Sequence, residues 1–316
     1  MAFGLLALLP VWLPVVVVID LARGQRRLPL ARLGLFGAAW AWVELGGATA
    51  LFWLWATGRK NNHEAHYRIQ ARWCAGIIRS LRLTTGLTVS VEGVDRVGRG
   101  PYVVLCRHAS LADSIISCFI VNNILGLAPR YVLKSDLQAV PCLDILGHRT
   151  PNAFVTRGSS NVSGELRALQ NMMDGLSEGQ AAVIFPEGSR ANPAKREREL
   201  ERLANRHPGR HATLSGLDRL IPPKPAGVGS MLDAAPRADV LTVWHSGLDG
   251  LDTFAGILQA LGSRKVTAHF VATVMPRSQV PSDDEFVKWL DDKWMEMDRS
   301  VVAHENGLAG RTQDNG

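Results

Sequence analysis

The chain has 316 residues, 47% of them apolar and 20% charged, with a formal net charge of +6 and an isoelectric point near 9.4. This excludes a disordered body and leaves room for one large α/β domain with an appendage, or for two average domains. The positive balance suits an anionic partner, whether membrane surface, nucleic acid or phosphorylated substrate, and does not choose among them. Cys74, Cys106, Cys118 and Cys142 lack metal-ligand spacing. They read as reduced, mostly buried thiols, so no structural zinc is expected.

No side chain from Met1 to Ile19 is charged, and Leu33 to Thr57 is again apolar, with Trp40, Trp42, Trp53 and Trp55 in pairs. Both stretches are of membrane length. Retained membrane segments are expected rather than a cleaved leader, because no basic stretch precedes the first and Asp20 ends it without a small-x-small site. Pro10 and Pro14 interrupt the first segment, and Glu44 beside Gly46-Gly47 the second. Two spans and a hairpin dipping into one face of the bilayer are therefore both open. Arg23, Arg26, Arg27 and Arg32 lie in and beside the connection, while Arg59, Lys60, Arg68, Arg72, Arg79 and Arg82 follow the second segment. Two full spans would carry the first basic group to the far side, whereas a dipping hairpin keeps both on the cytoplasmic side. Either way the globular part is expected to face the cytoplasm from a membrane. The tryptophans read as interface anchors, with core packing as the alternative.

From about residue 60, short apolar runs alternate with helical ones, the pattern of an α/β fold whose mostly parallel sheet is covered by helices. Candidate strands are 87–94, 102–106, 130–134, 153–156, 181–185, 239–244 and 265–274, and helices are expected over 112–125, 163–176 and 283–304. In the last, Phe286, Trp289, Leu290, Trp294 and Met297 recur at helical spacing, which predicts docking on the body. The segment Lys195 to His211 reads as a solvated surface helix. The expected organisation is a two-helix membrane hairpin over 1–57, a catalytic domain over 58–306 and a flexible tail over 307–316.

The run Tyr102 to Cys106 reads as a strand buried on both faces, and it leads through Arg107 into His108 and, five residues later, Asp113. Of nine histidines only His108 has an aspartate at that offset. At ~100° per residue a helix would set the two about 140° apart. They meet only if His108 lies in the turn and Asp113 in the first helical turn. The carboxylate would then hold one imidazole nitrogen and leave the other as a general base. Two more strand ends carry polar groups: Phe154-Val-Thr-Arg157 followed by Gly158, and Phe185-Pro-Glu-Gly-Ser-Arg190. In an open parallel sheet such carboxyl ends share one crevice. Pro186 and Gly188 impose a tight turn whose N–H groups can approach an oxyanion, and the guanidinium of Arg157 matches phosphate oxygens.

Together, Arg107-His-Ala-Ser-Leu-Ala-Asp113, Phe154-Val-Thr-Arg157 and Phe185-Pro-Glu-Gly-Ser-Arg190 resemble the glycerolipid acyltransferases that include 1-acylglycerol-3-phosphate acyltransferases. The resemblance spans roughly residues 85–230, including the Lys-x-acid-Leu segment at Lys134. The stretch 280–298 is similar to the tail of the lysocardiolipin acyltransferase branch. Arg107, Ser189 and the loose block Leu220-Ile-Pro-Pro-Lys-Pro-Ala-Gly227 depart from the family pattern and bear on substrate choice. What the resemblance implies is acyl transfer from acyl-CoA or an acyl-carrier protein to the hydroxyl of a lysophospholipid, with His108 as base and Asp113 orienting it. Arg157, Glu187 and Gly188 would hold the phosphate, with Ser189, Arg190 and Lys134 as further binding candidates. The partners implied are lysophospholipid, acyl donor and bilayer, with no cofactor, metal or nucleic acid.

Overall fold

A computed structural model describes residue 4 and residues 7–155, 162–282 and 284–313. Seven strands are present among them: β1 Thr88–Glu92, β2 Tyr102–Cys106, β3 Ala128–Lys134, β4 Ala153–Val155, β5 Gln180–Ile184, β6 Asp239–Ser246 and β7 Thr267–Met275. All seven candidate strands of the sequence reading are found, with no end moved by more than two residues. They form one sheet in the order β1-β7-β6-β2-β5-β3-β4. Strands β6, β2, β5, β3 and β4 run parallel, while β7 pairs antiparallel with β6 and parallel with β1.

Strand β2 lies at the centre of this sheet and is buried at every residue. Successive side chains point to opposite faces, so Tyr102, Val104 and Cys106 enter one core layer and Val103 and Leu105 the other. The first layer is closed by α2 (Pro29–Ala56), α3 (His63–Thr85) and α10 (Phe254–Ser263). The second is closed by α6 (Val162–Met173), α9 (Pro225–Ala234) and the terminal helix α11 (Asp284–Gln313). Completing the helices in chain order are α1 (Leu9–Ala22), α4 (Asp113–Cys118), α5 (Pro141–Arg149), α7 (Pro193–Arg206) and α8 (Pro208–Leu214). All four cysteines are buried and form no disulfide.

In the N-terminal region the two apolar stretches form helices of unequal length. Helix α1 has only 14 residues, about 21 Å at 1.5 Å per residue against a hydrocarbon core of about 30 Å. Among the described residues one helix, α2, is long and apolar enough to cross a membrane. The turn between them is held by the buried Asp20, whose carboxylate accepts hydrogen bonds from the N–H groups of Leu30 (3.3 Å) and Ala31 (3.0 Å). Helix α2 then lies along the body. In its first turn the Arg32 guanidinium donates to the carbonyls of Thr84, Thr85 and Leu261. At its middle Glu44 accepts from Trp73 Nε1 (2.8 Å) and the N–H of Cys142 (2.6 Å). The residues that looked like flaws in a span are its docking points: a Cβ at Gly47 would come within 2.7 Å of Cys142 Sγ and 3.1 Å of Trp73. Phe36 and Leu51 belong to the sheet's core layer, so α2 is packed with the globular region and not set apart from it at residue 57. What it leaves exposed, with α1, is apolar: Val11, Val15 and Val18, then Phe52, Trp53 and Trp55.

Helix α11 docks as its spacing predicts, burying Leu290, Trp294, Met297 and Val301, and it runs to Gln313, past residue 306 where a tail was expected to begin. The charged segment forms α7 and α8, with Arg210 paired to Asp291 on α11. Asp298 makes a second tie. Its buried carboxylate accepts from the consecutive N–H groups of Asp218 (3.0 Å), Arg219 (2.8 Å) and Leu220 (2.7 Å). Asp298→Ala would leave these donors unpaired, at a cost of about 2–4 kcal/mol, so the thermal midpoint in detergent should fall by roughly 5–10 °C. Asp298→Asn should fall between the two.

Candidate active site

The registers align the carboxyl ends of the parallel strands: Leu105 of β2 pairs with Ile184 of β5, Cys106 with Val243 of β6, and Lys134 of β3 with Val155 of β4. The polar residues that follow these strands therefore open on one edge, where connections leave the sheet in opposite directions. The ladder continues one step past β2, because the N–H of Arg107 donates to Val243 O at 3.0 Å. His108 is then the first residue free of the sheet. Asp113 opens α4, so the geometry is the one the spacing requires, with the histidine in the turn and the aspartate in the first helical turn.

His108 Nδ1 lies 3.1 Å from Asp113 Oδ2. The same oxygen accepts from the N–H groups of Ala109 (2.5 Å) and Ser110 (2.7 Å), and Oδ1 accepts from Ser110 Oγ. These bonds fix the carboxylate before the imidazole reaches it. His108 Nε2 has no hydrogen bond among the described residues, and the ring rests on Phe185 with centroids 4.5 Å apart. Burial pulls the His108 pKa below its ordinary value; Asp113 works against this, and the positive charges of Lys134 and Arg190 reinforce it. For Asp113, burial would push the carboxyl up, but His245 and His108 hold it well below the usual carboxylate range.

Glu187 approaches from the turn after β5. It is fully buried, its Oε1 accepts from the N–H of His108 at 3.5 Å, and Oε2 has no partner among the described residues. Burial pushes its carboxyl well above the ordinary range, against the pull of Arg107 and the His108 N–H, with Asp113 and Asp249 raising it further. Gly188 follows with φ +67°, left-handed backbone that favours glycine, and the space a Cβ would take is bounded by Lys224 Nζ at 3.1 Å. Lys224 is fixed by its own N–H, which donates to Pro186 O at 2.9 Å. Ser189 and Arg190 complete the turn. The structure thus brings His108, Asp113, Lys134, Glu187, Gly188, Ser189 and Arg190 to one edge; Arg157 lies outside the described residues.

Sequence reasoning missed four participants. Arg107, noted only as a departure, is fully buried and grips both carboxylate oxygens of Asp249. Burial works against its charge, and Asp249, Glu187 and Asp113 more than offset that. His245, at the end of β6, is buried on the far side of Asp113 with Nε2 3.4 Å from Oδ1, its ring against Phe270. Lys224 is the fourth. Residues on different strands carry no shared local pattern, so only Arg107, next to His108, and Lys224, inside the Pro-Pro-Lys-Pro turn, had a sequence signal.

Residues 88–243 match the family model described as Acyltransferase. The matched region is just under half of the chain; it runs from β1 into β6 and holds His108, Asp113, Lys134, Arg157 and Glu187, stopping two residues short of His245. The 1-acyl-sn-glycerophosphate (LPA) acyltransferase PlsC from Thermotoga maritima has a similar crystal structure, with 13% identity, a TM-score of 0.44, and coverage of 83% of this chain and 96% of that one. Among curated proteins none matches.

A depressed carboxyl stabilises the fold above its ordinary pKa, and that stability is lost as pH falls through the folded value. Because His245 contributes to depressing Asp113, His245→Phe should bring acid unfolding on at a higher pH. Fluorescence-monitored acid titration checks this, and His245→Gln, which keeps a polar neighbour, should shift it less.

Proposed function

We propose that the chain is a membrane-bound acyltransferase that moves a fatty acyl group from acyl-CoA, or an acyl-carrier protein, to the free hydroxyl of a lysophospholipid. The acceptor proposed is 1-acylglycerol-3-phosphate, giving phosphatidic acid. The observation that carries the reading is the His108–Asp113 pair, with Nε2 unbonded and cationic side chains around it, inside the region that matches the Acyltransferase family.

In this reading His108 Nε2 takes the acceptor's hydroxyl proton as the oxygen attacks the thioester carbonyl carbon. The imidazolium formed is balanced by Asp113, whose charge is already fixed by backbone donors. The tetrahedral adduct collapses, the C–S bond breaks, and the thiolate leaves, taking the proton back from His108. A thiol of ordinary pKa needs little help in leaving. A neutral Glu187 can donate to an anionic oxygen without adding repulsion, while Lys134, Arg190 and Arg157 supply positive charge for the acceptor's phosphate.

The contacts of α2 also support a side for the membrane. Arg32 at its start and Glu44 at its middle both bond to the body, and Gln25 in the preceding turn lies against Gly262 of α10. A helix held to the body along its length favours the hairpin that dips into one face over two full spans. It keeps both basic flanks on the catalytic side, which we assign to the cytoplasm.

His108→Ala should lower acyl transfer by ~10²–10⁴ without loss of fold. Because His108 must be neutral to act and its pKa is depressed, kcat/KM should rise with pH along an acid limb whose midpoint lies below 6.5, the ordinary histidine value. Thiol release from acyl-CoA with and without lysolipid separates the alternatives: a thioesterase gives both, a non-catalytic lipid-binding protein gives neither. Arg157→Lys should raise the KM for lysophospholipid about tenfold to a hundredfold, with little change for the acyl donor, because an ammonium cannot reproduce a two-point phosphate grip. An effect confined to the donor would move Arg157 to the donor's side of the pocket.

A further inference from the structure

The basic run after α2 takes no part in the active site. The chain turns at Gly58 and folds three of its arginines, Arg59, Arg68 and Arg72, around a cleft of about 360 Å³ between the last turns of α2 and the first turns of α3. Arg68 and Arg72 are one helical turn apart on α3, so they point the same way. Arg68 is paired with Glu64 at 2.6 Å. Arg59 and Arg72 have no side-chain hydrogen bond or ion pair among the described residues, although both line the same cleft. The rest of the lining is mostly apolar, with Trp53 and Leu54 from α2 and Ile69 from α3, and Trp53 keeps 60% of its surface exposed.

Two guanidinium groups without partners among the described residues share this cleft with an exposed indole, at the end of the helix with membrane length, and ask for a ligand with an anionic head and an apolar tail. Guanidinium forks match phosphate oxygens, and an indole suits the boundary between water and hydrocarbon. We propose that this cleft binds the headgroup of an anionic phospholipid, with Arg59 and Arg72 on the phosphate and Trp53 and Leu54 along the upper acyl chain. The site is separate from the reacting centre and ties the enzyme to membrane of one charge. It rests on the reading above that α1 and α2 sit in a bilayer.

The test is vesicle co-flotation of the full chain over a range of lipid concentrations, with phosphatidylcholine alone and with phosphatidylcholine containing phosphatidylglycerol. Wild type should bind the anionic vesicles more tightly, and Arg59→Gln/Arg72→Gln should lose about tenfold or more of that affinity while keeping its binding to phosphatidylcholine. Arg79→Gln/Arg82→Gln removes the same charge from α3 outside the cleft and should lose less than about threefold. Equal losses in the two double variants would reduce the effect to diffuse surface charge and overturn the site. Loss of the preference in millimolar inorganic phosphate, at matched ionic strength, would make it a pocket for free phosphate and overturn the lipid assignment. Equal binding of wild type to both vesicles would sink this proposal alone, whereas no binding to either would sink the membrane reading with it.

Discussion

The site depends on one carboxylate. Asp113 stands at the start of α4, where helical N–H groups have no partners within the helix, and it draws in the N–H groups of Ala109 and Ser110 and the hydroxyl of Ser110. Those bonds bend the chain into the turn that presents His108. A buried ion without partners would cost several kcal/mol, so the carboxylate demands this shell of donors, and the shell sets where the imidazole can lie. Its position follows from the central strand, since β2 has neighbours on both sides and cannot slip without turning its five buried side chains to the wrong layers.

Around that carboxylate the chain buries more charge than its core alone would tolerate. Arg107 extends β2 by one residue and lies under the sheet edge, where Asp249 neutralises it, and His245 carries the carbonyl that one of its N–H groups also reaches. Glu187 has one oxygen without a partner among the described residues, and burial pushes its carboxyl towards the neutral form. Unsatisfied polar atoms of this kind gather where a ligand completes the bonding. Gly188 and Lys224 lie at the mouth, so the polar floor and the cationic rim come from separate loops held by the same strands.

The apolar N-terminal helices belong to this construction. Phe36 and Leu51 complete the core layer beneath β2, and Glu44 joins α3 to α5 through Trp73 and Cys142. One face of α2 is thus committed to protein, which leaves the other, with α1 and the aromatic end at Phe52, Trp53 and Trp55, apolar and exposed.

The sequence by itself determined the sheet and the dyad. All seven strands were legible because buried parallel strands are short, β-branched and bounded by turn residues, and His108–Asp113 was legible because both partners lie on one strand-turn-helix unit. Local spacing is then enough to decide which atoms can meet. Glu187 and Arg190 were legible for a similar reason, as the end of a strand closed by Pro186 and Gly188. Hydropathy alone could not say that Glu44 and Gly47 are docking points, since a charge and two glycines in an apolar run read as defects until Trp73 and Cys142 are brought beside them. Nor could it join His245, Asp249 and Lys224 to a site more than thirty residues away from each along the chain. Those contacts depend on strand order, and β6 lies beside β2 only because the connection from β5 crosses back over the sheet. Tertiary structure decided them, because a hydrogen bond between distant segments leaves no periodicity in the segments that make it.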